Sequence, residues 1–168
     1  SFSLPFKNVN SIMKFICTLI TVSDINRSRD FYEHVLNQQV TADFGTNVTY
    51  RGDFSIHLAS GFKQLIDNRE IQQGGNNFEL YFEYDDVEGM AGTLKEKGIS
   101  FVHEVREQPW RQRVMRIYDP DMHIIEIGES MEYLILRLHN EGMAPEQVTA
   151  ATKLPLEFVK SVIGKAGK

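Results

Sequence analysis

Cysteine is all but missing from this chain: Cys17 stands alone, so no disulfide can close within it, and a reducing compartment is the expectation. Long apolar runs are missing as well. The longest, Phe15 to Val22, is interrupted by Cys17, Thr18 and Thr21. It falls far short of the roughly 20 residues that span a bilayer, so it reads as a buried strand and no membrane role is expected. An excess of positive charge is also missing, with 18 Lys and Arg against 23 Asp and Glu and a net charge of −5. Counterion release from a nucleic acid needs clustered cations, so an extended nucleic-acid surface is not expected. What is present is an ordinary globular composition, 42% hydrophobic and 24% charged over 168 residues. That suits one compact domain with an appendage. Residues 1–12 lack the charged-then-apolar order of a signal peptide, and Met13-Lys14-Phe15 looks like a natural start. On that reading residues 1–12 are a flexible leader or a cloning remnant, and the location is cytoplasmic.

Two halves of the chain follow one order. Phe15–Val22 reads as a strand, and Ser23-Asp24 offers the N-cap of a helix through Leu36 whose apolar positions Phe31, Val35 and Leu36 recur at helical spacing. Asn37 closes that helix. Three strands are expected next, around Gln39–Phe44, Asn47–Arg51 and Phe54–Ala59, the last two joined by a Gly52-Asp53 turn. The second half repeats the pattern. A strand at Phe78–Tyr84 leads to a helix from Asp85-Asp86 to Lys97, with Gly98 as its closing residue. Strands then fit Ile99–Arg106, Arg113–Tyr118 and Ile124–Gly128, with Asp119-Pro120-Asp121 turning between the last two. The fold class is therefore α+β: two βαβββ modules, residues 13–61 and 76–130, whose sheets form a concave cup. Residues 131–168 add a helical tail, with helices expected at Met131–His139, from Pro145, and at Leu156–Ile163.

Three stretches carry a resemblance. FICTLITVSDINRSRDFYEHVLN resembles the opening strand and helix of the glyoxalase/bleomycin-resistance/dioxygenase (vicinal oxygen chelate) superfamily. FELYFEYDDVEGMAGTLKEKGISF resembles the start of its second module, and QPWRQRVMRIYDPDMHIIEIGES its closing hairpin, whose usual form runs PWG, Arg, DPDGH and Glu. The superfamily includes lyases, dioxygenases, epimerases, thiol transferases and metal-free drug-binding proteins, so the fold does not decide the activity. The resemblance implies homodimers and, in metal-using members, one divalent ion (Zn, Ni, Fe or Mn) held by four inward side chains. By position those ligands fall on Cys17, His57, Glu79 and Glu126, of which Glu126 alone keeps the usual residue type.

Each candidate has a plainer alternative. Cys17 sits in an apolar strand, where free cysteine usually packs as a small hydrophobe. His57, between Ile56 and Leu58, is a ligand or a hydrogen-bonded structural histidine. Glu79 alternates with Leu80 and Phe82 on a strand with one wet face. Glu126, in HIIEIG, is a carboxylate amid apolar strand residues and needs a partner, which makes it the expected catalytic residue. Trp110 and Arg113 are the expected substrate contacts, with Tyr81 and Phe44 as pocket walls, against the alternatives of local packing and core. Arg111 and Met122 stand where the family pattern has glycine, so Arg111 is expected to narrow the space around it and the turn at Met122 to be altered. In the tail, EQVTAATKLPLEFVKSV resembles a helix-turn-helix, yet the stretch Leu156–Ile163 holds only Lys160 as a cation. Three functions remain: a glyoxalase-type enzyme with a divalent metal, a metal-free small-molecule binder, and a ligand-sensing regulator that uses the tail.

Overall fold

The computed structural model describes residues 13–167, so the expected leader at residues 1–12 lies outside the described residues. The chain divides into two compact units, one ending at Glu70 and one beginning at Ile71.

In the first unit, β1 (Thr18–Val22) runs parallel to β4 (Phe54–Leu58), and β3 (Asn47–Tyr50) pairs antiparallel with β4 and with β2 (Val40–Asp43). The sheet order is β1-β4-β3-β2. Asp24 caps α1 (Ile25–Arg29) by accepting the Arg27 N–H at 3.0 Å. The single helix expected through Leu36 instead opens into a π-helical stretch, Asp30–Val35. That wider turn coincides with the burial of two consecutive aromatic residues, Phe31 and Tyr32, which a regular helix would turn about 100° apart. Tyr32 packs its ring against those of Tyr50 and Phe54, centroids 5.8 and 5.4 Å away, and Ile20, Val22, Val48 and Ile56 complete this core. A short helix absent from the sequence reading, α2 (Ala59–Leu65), follows β4 directly. It has no side-chain cap and an interior Gly61, both of which weaken the local helical signal.

The second unit repeats the topology. β5 (Glu79–Glu83) lies parallel to β8 (Ile124–Gly128), β7 (Arg113–Tyr118) antiparallel to β8, and β6 (Phe101–Glu107) antiparallel to β7. The order is β5-β8-β7-β6. Asp86 caps α3 (Val87–Glu96) through the Gly89 N–H, and the helix packs on β6 and β7 with Val87, Ala91 and Leu94 buried. Asp119 ties the β7–β8 turn by accepting the N–H groups of Asp121 and His123 at 3.0 and 2.8 Å and the His123 ring at 2.7 Å. Met122 keeps the glycine-like backbone of that turn at φ 68°, and Arg111 does the same in the β6–β7 turn at φ 73°.

The tail is three helices, α4 (Met131–Asn140), α5 (Pro145–Thr152) and α6 (Leu156–Ala166). They build a core of their own from Leu134, Ile135, Leu138, Val148, Val159 and Val162. Ser130 begins α4, accepting the Tyr133 N–H while its hydroxyl donates to Asp85 at 2.7 Å. Lys153, at φ 65°, turns the chain between α5 and α6.

Candidate functional site

Alternation along the strands of the second sheet sorts its residues into two faces. Leu80, Phe82, Met115, Ile117, Ile125 and Ile127 share the apolar face. The other face is mixed, with Val114 and Ile124 on it, and each strand contributes one polar residue to a cluster there: Glu79 from β5, Glu126 from β8, Arg116 from β7 and His103 from β6. Arg116 is the hub. Its Nε and Nη2 donate to the two oxygens of Glu79 at 2.7 and 3.3 Å, a bidentate grip, and Nη2 also donates to Glu126 Oε2 at 2.5 Å. Its Nη1 donates to His103 Nε2 at 3.2 Å, so that nitrogen accepts. The His103 proton then sits on Nδ1, which donates to the Glu104 carbonyl at 2.8 Å.

The two carboxylates differ. A hydrogen bond from Arg116 holds Glu79 below the usual carboxylate range. Glu126 is only 7% exposed, and burial, reinforced by the hydrogen bond and charge of Glu79, raises its carboxyl to about 7 against the pull of Arg116. Such a pair shares its titration: one group stays ionised while the other takes up or gives up a proton near neutrality.

A second polar chain adjoins the first. Gln112 is buried at 3% exposure with both ends of its amide engaged. Its Nε2 donates to the Tyr81 hydroxyl at 2.9 Å and the Glu129 carbonyl at 2.8 Å, and its Oε1 accepts the Trp110 indole N–H at 2.9 Å. Tyr81 in turn donates to Glu83 at 3.1 Å, and burial pushes its phenol up to about 12, so it remains a donor. Tyr81 is the register partner of Glu126, which places this chain beside the Arg116 cluster.

Of the residues expected from sequence, Glu126 and Glu79 meet in one cluster, and Tyr81 and Trp110 meet on Gln112 in the adjoining chain. Arg113 falls on the opposite face with Met115 and Ile117, and its backbone N–H donates to Glu129 at 3.0 Å. Cys17, His57 and Phe44 belong to the first unit. Cys17 Sγ lies 3.9 Å from Ser55 Oγ, and His57 Nδ1 accepts from Asn47 at 3.0 Å with Phe62 against its ring. Phe44 is exposed in the β2–β3 turn. Arg116, His103 and Gln112 were not anticipated. For Arg116 a signal existed, since RVMRIY alternates so that Arg116 shares a face with Val114 and opposes the apolar run.

The divalent ion that the resemblance implies does not fit this donor set. Glu79 and Glu126 already hold a guanidinium, and a second cation between them would meet its like charge at a few ångströms. Among the described residues of either unit taken by itself, no group of three or more His, Cys, Asp and Glu is arranged to hold a metal.

Two mixed four-stranded sheets, each pairing its first strand parallel to its last, define an α+β protein of the glyoxalase type. The chain belongs to the glyoxalase-like domain family, which it matches over residues 15–132. A crystal structure of a protein of unknown function from Agrobacterium tumefaciens str. C58 is 37% identical, with a TM-score of 0.65 over 71% of this chain and 95% of that one. A glyoxalase-related enzyme from Fulvimarina pelagi (17% identity, TM-score 0.59, 67% of this chain and 86% of that one) has the same fold. So does a lactoylglutathione lyase from Agrobacterium tumefaciens (18% identity, TM-score 0.55, 70% and 93%). Among curated proteins none matches the chain significantly. No helix of the described residues is long and apolar enough to cross a membrane.

Proposed function

We propose that this chain is a metal-independent member of its family that binds a small organic molecule on the Arg116 face of the second sheet. The observation that carries this reading is Arg116 seated on both Glu79 and Glu126, a positive charge held by two of the four side chains to which the resemblance assigns the metal. Nη1 of the guanidinium keeps one N–H for a ligand oxygen, Tyr81 stands beside Glu126 in the register, and Gln112 links Tyr81 to Trp110, which supplies an aromatic plane. Metal-dependent lyase or dioxygenase chemistry finds no support in this donor set.

A second reading is favoured by the Glu126 carboxyl at about 7: the same face moves a proton to or from its ligand. Glu126 would exchange the proton, Arg116 would hold the developing negative charge, and Glu79 would keep Arg116 in place.

The test combines elemental analysis with a fragment screen by NMR. The expected result is no stoichiometric metal after reconstitution with Zn²⁺, Ni²⁺, Mn²⁺ or Fe²⁺. Fragment hits should move the Arg116 and Tyr81 resonances, persist with a chelator present and disappear in Arg116→Met. One tightly held ion per chain, lost in Glu126→Gln, would overturn the proposal.

A further inference from the structure

The family match ends at residue 132, and the next charged residue in the chain, Arg137, reaches back from α4 into the turn that carries Trp110. Its Nε and Nη2 grip both oxygens of Glu129 at 2.9 Å each, and Nη2 also donates to the Arg111 carbonyl at 2.7 Å. Nη1 is held by Glu141 at 3.1 Å, with Glu107 at 3.9 Å. Glu129 is almost fully buried, and besides Arg137 it accepts the Arg113 N–H, while its carbonyl receives the Gln112 amide. One residue of the tail thus fastens the closing half of the turn: Arg111 directly, and Gln112 and Arg113 through Glu129.

What is fastened is costly to hold otherwise. Arg111 occupies the left-handed region, unfavourable for a side chain with a Cβ, and besides Arg137 it is braced by the Gln108 carbonyl, the Glu107 carboxylate and, at 3.8 Å, the Glu141 carboxylate of the tail. Trp110 sits between Pro109 and Arg111 with its indole N–H on Gln112, so a shift of Arg111 or Gln112 moves the ring. The Arg116 cluster shares none of these contacts.

We infer that Arg137 is a positioning residue: through Glu129 and the Arg111 carbonyl, the tail helix α4 fixes Trp110 at the edge of the ligand face. The tail is in this sense part of the site's frame, added after the family domain. That the fixed ring contacts a ligand rests on the function proposed above; that Arg137 fixes it does not.

The chain's one tryptophan makes this directly readable. Arg137→Ala alone would leave Glu129 buried and unpaired and could unfold the protein, so the informative variants are Arg137→Lys and the double change Arg137→Met with Glu129→Gln. Both should keep the far-UV circular dichroism of the parent. In both the Trp110 emission should shift to the red, acrylamide quenching should rise, and the indole N–H should exchange faster with solvent. Emission, quenching and exchange equal to the parent's in a folded double variant would overturn the inference. Fragment binding at Arg116 is read separately, so loss of that binding would sink the proposed function without touching this one.

Discussion

Arg116 and Glu126 face each other as register partners across β7 and β8, guanidinium nitrogen to carboxylate oxygen at 2.5 Å, yet Glu126 is the more weakly acidic of the two carboxylates that Arg116 holds. Position explains the inversion. Glu79, on the outer strand β5, receives two hydrogen bonds from Arg116 and keeps contact with solvent. Glu126, on the central strand β8, receives one bond, is nearly enclosed, and faces the charge of Glu79. Desolvation and like charge outweigh the single ion pair.

This inversion sets the pH dependence of stability. The Glu126 carboxyl rises from 4.5 to about 7 on folding, so the folded state binds its proton more tightly than the unfolded state. The stabilisation from that proton is full below the ordinary carboxylate value and is lost as pH rises through about 7. Glu79 works in the opposite sense and in a lower window: its lowered carboxyl stabilises above the usual range and loses that contribution in acid. Glu126→Gln should therefore flatten the decline between about pH 5 and about pH 8 and leave the acid limb in place, as read by urea unfolding. A variant whose decline matches the parent's would place the titrating group elsewhere.

Close approach at Gly128 offers a second test. A Cβ there would stand 2.7 Å from Gln112 Nε2 and 3.1 Å from Val114 Cγ1. Gly128→Ala should push the Gln112 amide off the Glu129 carbonyl and Tyr81 and destabilise the fold by about 1–3 kcal/mol. The Trp110 emission should change with it. Gly92→Ala is the control: a Cβ in that part of α3 meets nothing within 4 Å, and the change should stabilise by roughly 0.5–1 kcal/mol.

Much of this was readable in advance, and the exceptions share a cause. The doubled βαβββ order, the Asp86 start of α3 and the placing of Glu126 on the face opposite Ile125 and Ile127 follow from periodicity and capping, which are local. Arg116 gains its role only from the register that sets it against Glu126 and, two strands away, Glu79. A strand pattern leaves that register open. Gln112 is one polar residue among several in its turn, and the glycine at 128 on the neighbouring strand makes room for its amide. His103 sits beside an irregularity in the β6–β7 pairing, where alternation no longer predicts the face. Arg113 matches a position in a family pattern, and its strand turns it to the other face, in phase with Met115 and Ile117.

The glycine-like turn at Met122 gives a third prediction. Met122 is at φ 68°, half-exposed, in a turn already tied by Asp119. Met122→Gly should relieve the left-handed strain and raise stability by about 1 kcal/mol, offset in part by the greater freedom of glycine in the unfolded chain. Met122→Val, β-branched at the same φ, should lower it. Thermal unfolding of the pair checks both signs, and a glycine variant less stable than the parent would mean that the methionine side chain contributes more than its backbone costs.

The tail supplies the last prediction. Thr149 lies in α5 with its hydroxyl buried and, among the described residues, it is the one such side-chain atom without a hydrogen-bond partner. Its neighbour Thr152 bonds back to the Val148 carbonyl, so burial in this helix does not by itself forbid a partner. Thr149→Ala removes an unsatisfied polar atom and raises helix propensity, which together should add about 1 kcal/mol. Thr149→Val separates the two effects, since it keeps the bulk and the branching and removes only the hydroxyl. If desolvation of the oxygen is the larger cost, both variants should slow amide exchange in α4, α5 and α6. Stabilisation by alanine alone would assign the cost to helix propensity and crowding instead.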